Sequence, residues 1–460
     1  MTRSIDSLPT PDEQKKIKMY TCGLTVYSHP HIGNWIGYIY WDVLQRTLEH
    51  EGYEVERVQN ITDVGHLVSD DDSGEDKMEK GAKAEGLTAW DVAKKYIDIA
   101  DHEGYELLGL KKPKLVRATD CIQEQIEFVK GLQEKGYTYV IEGEGVYFDT
   151  SKLDDYGKLA RLDIAGLEAG ARVAVNGKKN PTDFALWKFS PVNAQRDMEW
   201  ESPWGKGFPG WHLECSVIAR ENLGDQIDIH TGGIDHIPVH HTNEIAQTES
   251  LTGKAPFSKF WVHNNHIKVD GQKMSKSLGN IYTLQDILDK GYILDAFKLM
   301  VLSKHYRTEG NFTWEILEAA QNRLKRWKMA FDMRWQEKSA GNNHKVDAQG
   351  FSHKIKEALA FDLNTPETLS YVDTVIDNIL SGSICPPCID LIVQDIDRLL
   401  GINIYNGKSD ISHDQKAQLA AREKARNEKN WEESDRIRDE LASQGIGIND
   451  GPHGQIWYRL

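Results

Sequence analysis

Three stretches hold the residue types through which this chain could do chemistry. The first is residues 20–34, Tyr-Thr-Cys-Gly-Leu-Thr-Val-Tyr-Ser-His-Pro-His-Ile-Gly-Asn. Its His31-Ile32-Gly33-Asn34 end reads as a strand-to-helix turn, where free backbone N–H groups and the positive end of a helix dipole suit an anion such as a nucleotide phosphate. The second is residues 237–250, a segment of helical pattern carrying His240, His241 and Glu244. Residues four apart share a helix face, so His240 and Glu244 can address one object. They are half of a zinc site that two thiolates would complete, or a polar pair on a helix surface; spacing neither decides nor names the thiolates. The third is residues 267–280, where Lys273 and Lys276 sit among Ser275, Ser277 and Gly279 after an Asp-Gly turn. Lysines so placed suit a polyphosphate whose charge changes during reaction, the alternative being a solvated basic loop.

The elements that must position these residues can be read from hydrophobic period. Ile17, Met19 and Thr21 alternate as a strand arriving at Cys22 and Gly23, and Ile36, Tyr40, Val43, Leu44, Thr47 and Leu48 fall on one helical face that Gly52 would end. Residues 53–61 then form a second strand, completing a strand-helix-strand unit. The acidic tract at 69–77 reads as a solvated loop, and helical pattern follows to about Leu110, where Pro113 breaks it. Residues 117–205 predict a domain inserted into the first: a helix over 121–134, then a hairpin of 137–141 and 146–148. Residues 225–230 alternate as a strand running into Thr231-Gly232-Gly233, a turn where backbone can approach a ligand closely, and 260–263 is a further short strand.

Length and charge bound the answer. The 460 residues allow two to four domains, and the net charge of −16 argues against a sequence-blind nucleic-acid coat, so an RNA partner would be met by local patches. There is no signal-like leader and no run of membrane-spanning length, which predicts a cytoplasmic protein. Five scattered cysteines, Cys22, Cys121, Cys215, Cys385 and Cys388, predict metal ligands or buried thiols rather than a disulfide framework.

His31-Ile32-Gly33-Asn34 and Lys273-Met274-Ser275-Lys276-Ser277 resemble the two signature motifs of class I aminoacyl-tRNA synthetases. Within that class the chain resembles the cysteinyl-tRNA synthetases through residues 20–27, 209–216, 230–235, 240–247 and Asn364-Thr365-Pro366, all in family order. The resemblance runs from about residue 16 to the C-terminus. It implies an α/β chain with a Rossmann-type catalytic domain (1–116 and 206–265) and an inserted connective domain (117–205). A lysine-loop and stem-contact region (266–312), a helical bundle (313–402), a linker (403–411) and a C-terminal anticodon-binding module (412–460) would follow. It implies one zinc ion on Cys22, Cys215, His240 and Glu244. It also implies ATP with magnesium as substrate, met by His31, Gly33, Asn34, Gly232, Asp235, Lys273 and Lys276, with His31, Asn34 and the two lysines catalytic. Cysteine would lie against Gly23, Thr25, Trp211 and His230. The implied reaction forms cysteinyl adenylate and passes the cysteinyl group to tRNA(Cys), in a monomer. The chain departs from the family at His236-Ile237-Pro238-Val239 and at Thr242, which leaves His241 as a competitor of His240 for the metal; the segment after Asp63 diverges too.

Farther on, Thr283-Leu284-Gln285-Asp286 reads as a capping box. Leu317, Ala320, Leu324, Trp327 and Phe331 mark a long amphipathic helix, and further helices begin at Thr365 and cover 389–400, with Cys385-Pro-Pro-Cys388 in the loop between. Beyond the linker come two helices, from Ser412 and near Trp431, and a hairpin closed at Asp450-Gly451. Basic side chains near an exposed Trp suit an RNA loop, and the resemblance makes Arg422, Arg426, Trp431, Asp435 and Asp450 the candidates for tRNA contact. Two other readings keep parts of this pattern: a cysteine-activating ligase that uses an amino-sugar acceptor, which lacks such a C-terminal module, and a non-catalytic tRNA-binding paralogue.

Overall fold

The computed structural model describes residues 5–65, 77–161, 177–191, 196–336, 348–384, 386–404, 409–451 and 454–460. The acidic tract expected to be a loop lies almost wholly outside them, as does Cys385.

The first strand, β1 (Lys16–Thr21), feeds α1 (Ile32–His50), and β2 (Glu54–Ile61) returns parallel to β1. Helix α1 ends before Gly52, whose φ of 101° only glycine adopts freely. The period predicts one buried face, yet Ile32, Trp35, Ile36, Tyr38, Ile39, Tyr40, Trp41 and Val43 are all buried. The reason is position: α1 lies on the sheet and is covered on its other side by the helical region that follows.

Helices α2 (Lys77–Glu85) and α3 (Ala89–Asp101) come next, and α3 runs on into a π-helical turn, His102–Leu107. That turn buries Glu103, whose carboxylate accepts the Trp35 indole N–H at 3.0 Å. Strand β3 (Lys114–Arg117) then joins the free edge of β2. After α4 (Ile122–Glu134) comes an antiparallel sheet of β4 (Thr138–Ile141), β5 (Gly145–Phe148), β6 (Phe184–Phe189) and β7 (Gly207–Pro209), in that order, with the expected hairpin between its first two strands.

The chain re-enters the parallel sheet through α5 (Trp211–Leu223), β8 (Ile227–Gly233), a π-helical turn at Ile237–His241, α6 (Thr242–Thr252) and β9 (Ser258–Asn264). Sheet order is β3-β2-β1-β8-β9, every pair parallel. Strand order reverses between β1 and β8, and the crevice at the carboxyl ends of such a pair is where ligands bind in open α/β sheets. Cys22 follows the end of β1, and His230 to Gly233 form the end of β8.

A small sheet of β10 (Ile267–Val269) and β11 (Gln272–Lys273) carries the lysine loop. Beyond it lie α7 (Leu284–Asp289), capped by Thr283 and Asp286 as predicted, α8 (Leu294–Leu302) and β12 (Gly310–Phe312), which pairs with β10. Four helices follow, α9 (Trp314–Asp332), α10 (Ala348–Ala360), α11 (Thr365–Leu380) and α12 (Pro386–Leu400). Cys388 thus lies in the first turn of α12 and not in a loop. The last unit is α13 (His413–Asn427), α14 (Trp431–Ser443) and the hairpin β13 (Ile446–Gly451) and β14 (Gly454–Arg459).

One continuous apolar core joins α1 to α8, α9, α11 and α12. A second fills the other face of the parallel sheet, among α4, α5 and the inserted sheet. The crevice between β1 and β8 is therefore held rigidly from both sides.

Candidate active site

Cys22, Cys215 and the His240–Glu244 pair come from three parts of the chain, yet their ligand atoms all lie within 4.8 Å of one another, and all four residues are buried. Cys22 is set by a backbone hydrogen bond from its N–H to Thr231 of β8 at 3.2 Å. Its carbonyl accepts the Tyr38 hydroxyl at 3.1 Å. Gly23 must be glycine, because a Cβ there would stand 1.6 Å from the Asn60 carbonyl oxygen. Cys215 projects from the first turns of α5. His240 and Glu244 flank the change from π to α winding. A π turn advances through a smaller angle per residue than an α turn, so the consecutive His240 and His241 both reach the same centre as Glu244.

His240 Nε2 stands 3.3 Å from Cys215 Sγ and 3.1 Å from Glu244 Oε1, an oxygen that accepts no hydrogen bond. Burial pushes the Cys22 thiol up, but the hydrogen bond with Cys215, the charge of His241 and hydrogen bonds with His236 and His240 outweigh it and hold this thiol well below its usual value. Cys215 is driven the opposite way, by burial and then by the Cys22 and Glu244 charges. Two thiols, a carboxylate with an unpartnered oxygen and an imidazole, all on buried residues, form a donor set that fits a divalent metal and fits zinc in particular.

Behind these donors stand histidines that spacing does not reveal. His212 Nδ1 lies 2.9 Å from His240 Nδ1, and His263 Nε2 lies 2.8 Å from His241 Nδ1. Each pair fixes a ring so that its Nε2 faces the thiols. Burial, then the charges of His230 and His236, push His263 down to about 3, so its ring is neutral. His236 goes the other way: burial would lower it, but the hydrogen bond to Cys22 and the Cys22 charge raise it to about 9. Its extra imidazole is the departure from family pattern noted in the sequence. Glu214, fully buried beside Asp63, is held well above the usual carboxyl range by burial and then by that neighbour's charge.

Residues expected to meet cysteine lie around the same centre. Trp211 stacks on His240 at 4.5 Å between ring centroids, and His230 Nε2 lies 2.9 Å from Glu244 Oε2. Thr25 is set by a parallel bridge to Thr62. Gly232 admits the rings of His241 and His236, which a Cβ would approach to 2.7 and 2.9 Å. Asp235 lies in the short turn after β8, at the exposed rim.

At the start of α1, the His31 backbone N–H donates to Asn34 Oδ1 at 2.9 Å, so one end of that amide closes the helix start. Burial lowers His31, keeping its ring neutral. The lysine loop touches this turn: a Cβ on Gly33 would lie 2.3 Å from the Met274 methyl. Asn280 ties the loop down, accepting from Ser275 N–H at 2.8 Å and donating to the Lys273 carbonyl at 3.2 Å. Lys273 is exposed. Lys276 opens a one-turn helix, Lys276–Leu278; its side chain is not among those described.

In the C-terminal unit the expected RNA-facing set divides. Trp431 is 56% exposed and Arg426 lies over its ring at 5.7 Å. Asp435 is exposed beside Arg438. Arg422, by contrast, is fully buried, its guanidinium donating to both oxygens of Asp450 at 2.9 and 2.8 Å and to Gln455. That burial departs from the surface role expected for this residue: its two terminal guanidinium nitrogens are turned to the hairpin.

Residues 9–322 match the family described as tRNA synthetases class I (C) catalytic domain, and 408–457 match the cysteinyl-tRNA ligase anticodon binding domain. The chain is 44% identical over 450 residues to cysteine–tRNA ligase 1 of Burkholderia lata, covering 97% of this chain and 93% of that one. It is 40% identical over 459 residues to the cysteine–tRNA ligase of Caldicellulosiruptor saccharolyticus, covering 96% and 95%. Among solved structures, the Mycobacterium tuberculosis methionyl-tRNA synthetase with methionyl-adenylate superposes with a TM-score of 0.61 at 14% identity, covering 85% of this chain and 92% of that one. That likeness shows the fold. On motifs, architecture and relatives together, the chain belongs to the cysteine–tRNA ligase family of class I aminoacyl-tRNA synthetases.

Proposed function

We propose that the protein activates L-cysteine with ATP and esterifies it to the 3′ end of tRNA(Cys). A cysteine carboxylate oxygen attacks the α-phosphorus, the bond to the bridging oxygen breaks, and pyrophosphate leaves; a hydroxyl of the terminal adenosine then attacks the cysteinyl carbonyl and AMP leaves. The observation that carries this reading is the convergence of Cys22, Cys215, His240 and Glu244 within 4.8 Å, at the carboxyl end of the sheet whose β1 leads into the turn that opens α1.

Cys22, Cys215, His240 and Glu244 would hold a zinc ion, which when bound would supply a Lewis acid that favours a thiolate over a hydroxyl of nearly the same shape. Selectivity then rests on a bond serine cannot make. The chain's own residues do the rest. Gly23, Thr25, Trp211 and His230 wall the amino acid, while Gly33, Gly232 and Asp235 line the path of the nucleotide. The neutral His31, the free Nδ2 of Asn34 and the N-terminus of α1 meet the α-phosphate as it gains negative charge. Lys273 and Lys276 do the same at the β- and γ-phosphates of the magnesium–ATP substrate. Catalysis is thus positioning and electrostatics. In the C-terminal unit Trp431 and Arg426 offer a stacking plane and a cation to an unpaired base, with Asp435 beside them.

Pyrophosphate exchange into ATP tests the first step: cysteine is expected to drive it and serine to fail. Equal exchange with both amino acids, in zinc-loaded protein, contradicts the metal-based selectivity.

A further inference from the structure

The four donors do not use up the ligand atoms around them. A second set, Cys22, His230, His241 and Glu244, likewise has its ligand atoms within 4.8 Å of one another and is wholly buried; it shares Cys22 and Glu244 with the first. His241 Nε2 stands 3.4 Å from Cys22 Sγ and 3.9 Å from Glu244 Oε1, spacings that fit two donors each about 2.0–2.3 Å from one ion. Glu244 faces both sets, with Oε1 toward His240 and His241 and Oε2 at 2.9 Å from His230 Nε2. The ring support is duplicated as well, since His263 holds His241 as His212 holds His240. His230 Nδ1 and Glu244 Oε1 are buried atoms with no hydrogen-bond partner. Finally, Gly232 makes room for the His241 ring, which a Cβ would strike.

A polar helix surface would not produce these features twice around one thiol and one carboxylate. We propose that Cys22, His230, His241 and Glu244 form a second seat for a divalent cation, across the shared Cys22–Glu244 edge, and that the ion moves there when the Cys215 side of the first seat is removed. The first seat offers two thiolates and one imidazole, the second one thiolate and two imidazoles; each keeps the carboxylate. Both sets are of the kind zinc accepts. The inference rests on reading the first set as the zinc centre.

The test counts metal and sulfur separately in the full-length chain, by elemental analysis and by zinc-edge X-ray absorption. Wild type is expected to hold about one zinc with two sulfur neighbours. Cys215→Ala is expected to keep about one zinc, now with a single sulfur, and Cys215→Ala/His241→Ala to lose at least about tenfold in zinc affinity relative to it. Cys215→Ser replaces the alanine variant if circular dichroism shows the latter unfolded. A folded Cys215 variant that holds no zinc overturns the second seat, as does a double variant that binds zinc as tightly as the single one. Wild-type zinc without two sulfur neighbours overturns the first reading instead, and is seen before any variant is made.

Discussion

Cys22 follows the end of β1, belongs with Glu244 to both candidate ligand sets and lies beside His236. Its neighbourhood depends on residues too small to clash. Gly232→Ala is expected to displace His241 and His236 and to lower zinc affinity about 10–100-fold in a chelator competition, with little change in secondary structure. Affinity equal to wild type would show that the close approach of backbone and imidazole does not position the rings. At the nucleotide end, Lys273→Ala is expected to slow cysteine-dependent pyrophosphate exchange by about 10²–10³-fold while leaving cysteine binding unchanged. Equal loss of both would mean that Lys273 shapes the amino-acid pocket. His240 and Glu244 were legible in the sequence because a helical step of four brings them together, and the two thiols were legible only through family resemblance. His212 and His263 were not, since their partners lie 28 and 22 residues away and the pairs form only when α5 and β9 pack against the π-helical turn.

At the scale of elements, the period of the sequence yields β1, α1, β2, the 137–148 hairpin and the capped start of α7, because each depends on near neighbours. It does not yield the two π-helical turns, which are set by what the turn must reach: Trp35 in one case and the thiols in the other. Arg422 shows the same limit. On α13 it is one basic residue among several, and only the return of β13 makes it the buried partner of Asp450. The hydrogen bond with Arg422 holds the Asp450 carboxyl below its usual range. A depressed carboxyl stabilises the folded state above its unfolded pKa, about 3.9, and that contribution is lost as pH falls through the lower folded value. Unfolding of the C-terminal unit is therefore expected to show this pair's contribution in full and unchanged between pH 8 and 5, and its loss below about 4. Arg422→Ala is expected to destabilise the unit by roughly 1–3 kcal/mol, read by denaturant unfolding at neutral pH, because it removes a buried guanidinium and its hydrogen bonds to Asp450 and Gln455 while Arg426 still pairs with Asp450. A change within about 0.5 kcal/mol would return Arg422 to the surface role.

Over the whole molecule, the site is built where the order of a parallel sheet reverses, and the C-terminal unit is docked onto α9 at a distance from it. Gln336, just past α9, exchanges hydrogen bonds with the backbone of Trp457, and Arg459 pairs with Asp332. Among the described residues, no helix is long and apolar enough to cross a membrane. Removing residues 412–460 is expected to weaken transfer to tRNA at least about 10-fold while sparing pyrophosphate exchange, in keeping with base-stacking contacts worth about 1–3 kcal/mol each. Loss of both activities would mean that the docked hairpin supports the catalytic core.

The central claim is that one site joins cysteine, and not serine, to its tRNA. The direct measurement is ATP-dependent attachment of radiolabelled cysteine to a transcript with the cysteine anticodon, beside one with a serine anticodon, using folded and zinc-loaded protein. Charging of the first transcript alone is expected, with serine inert as amino acid. No charging of either, or charging with serine as readily as with cysteine, would contradict it.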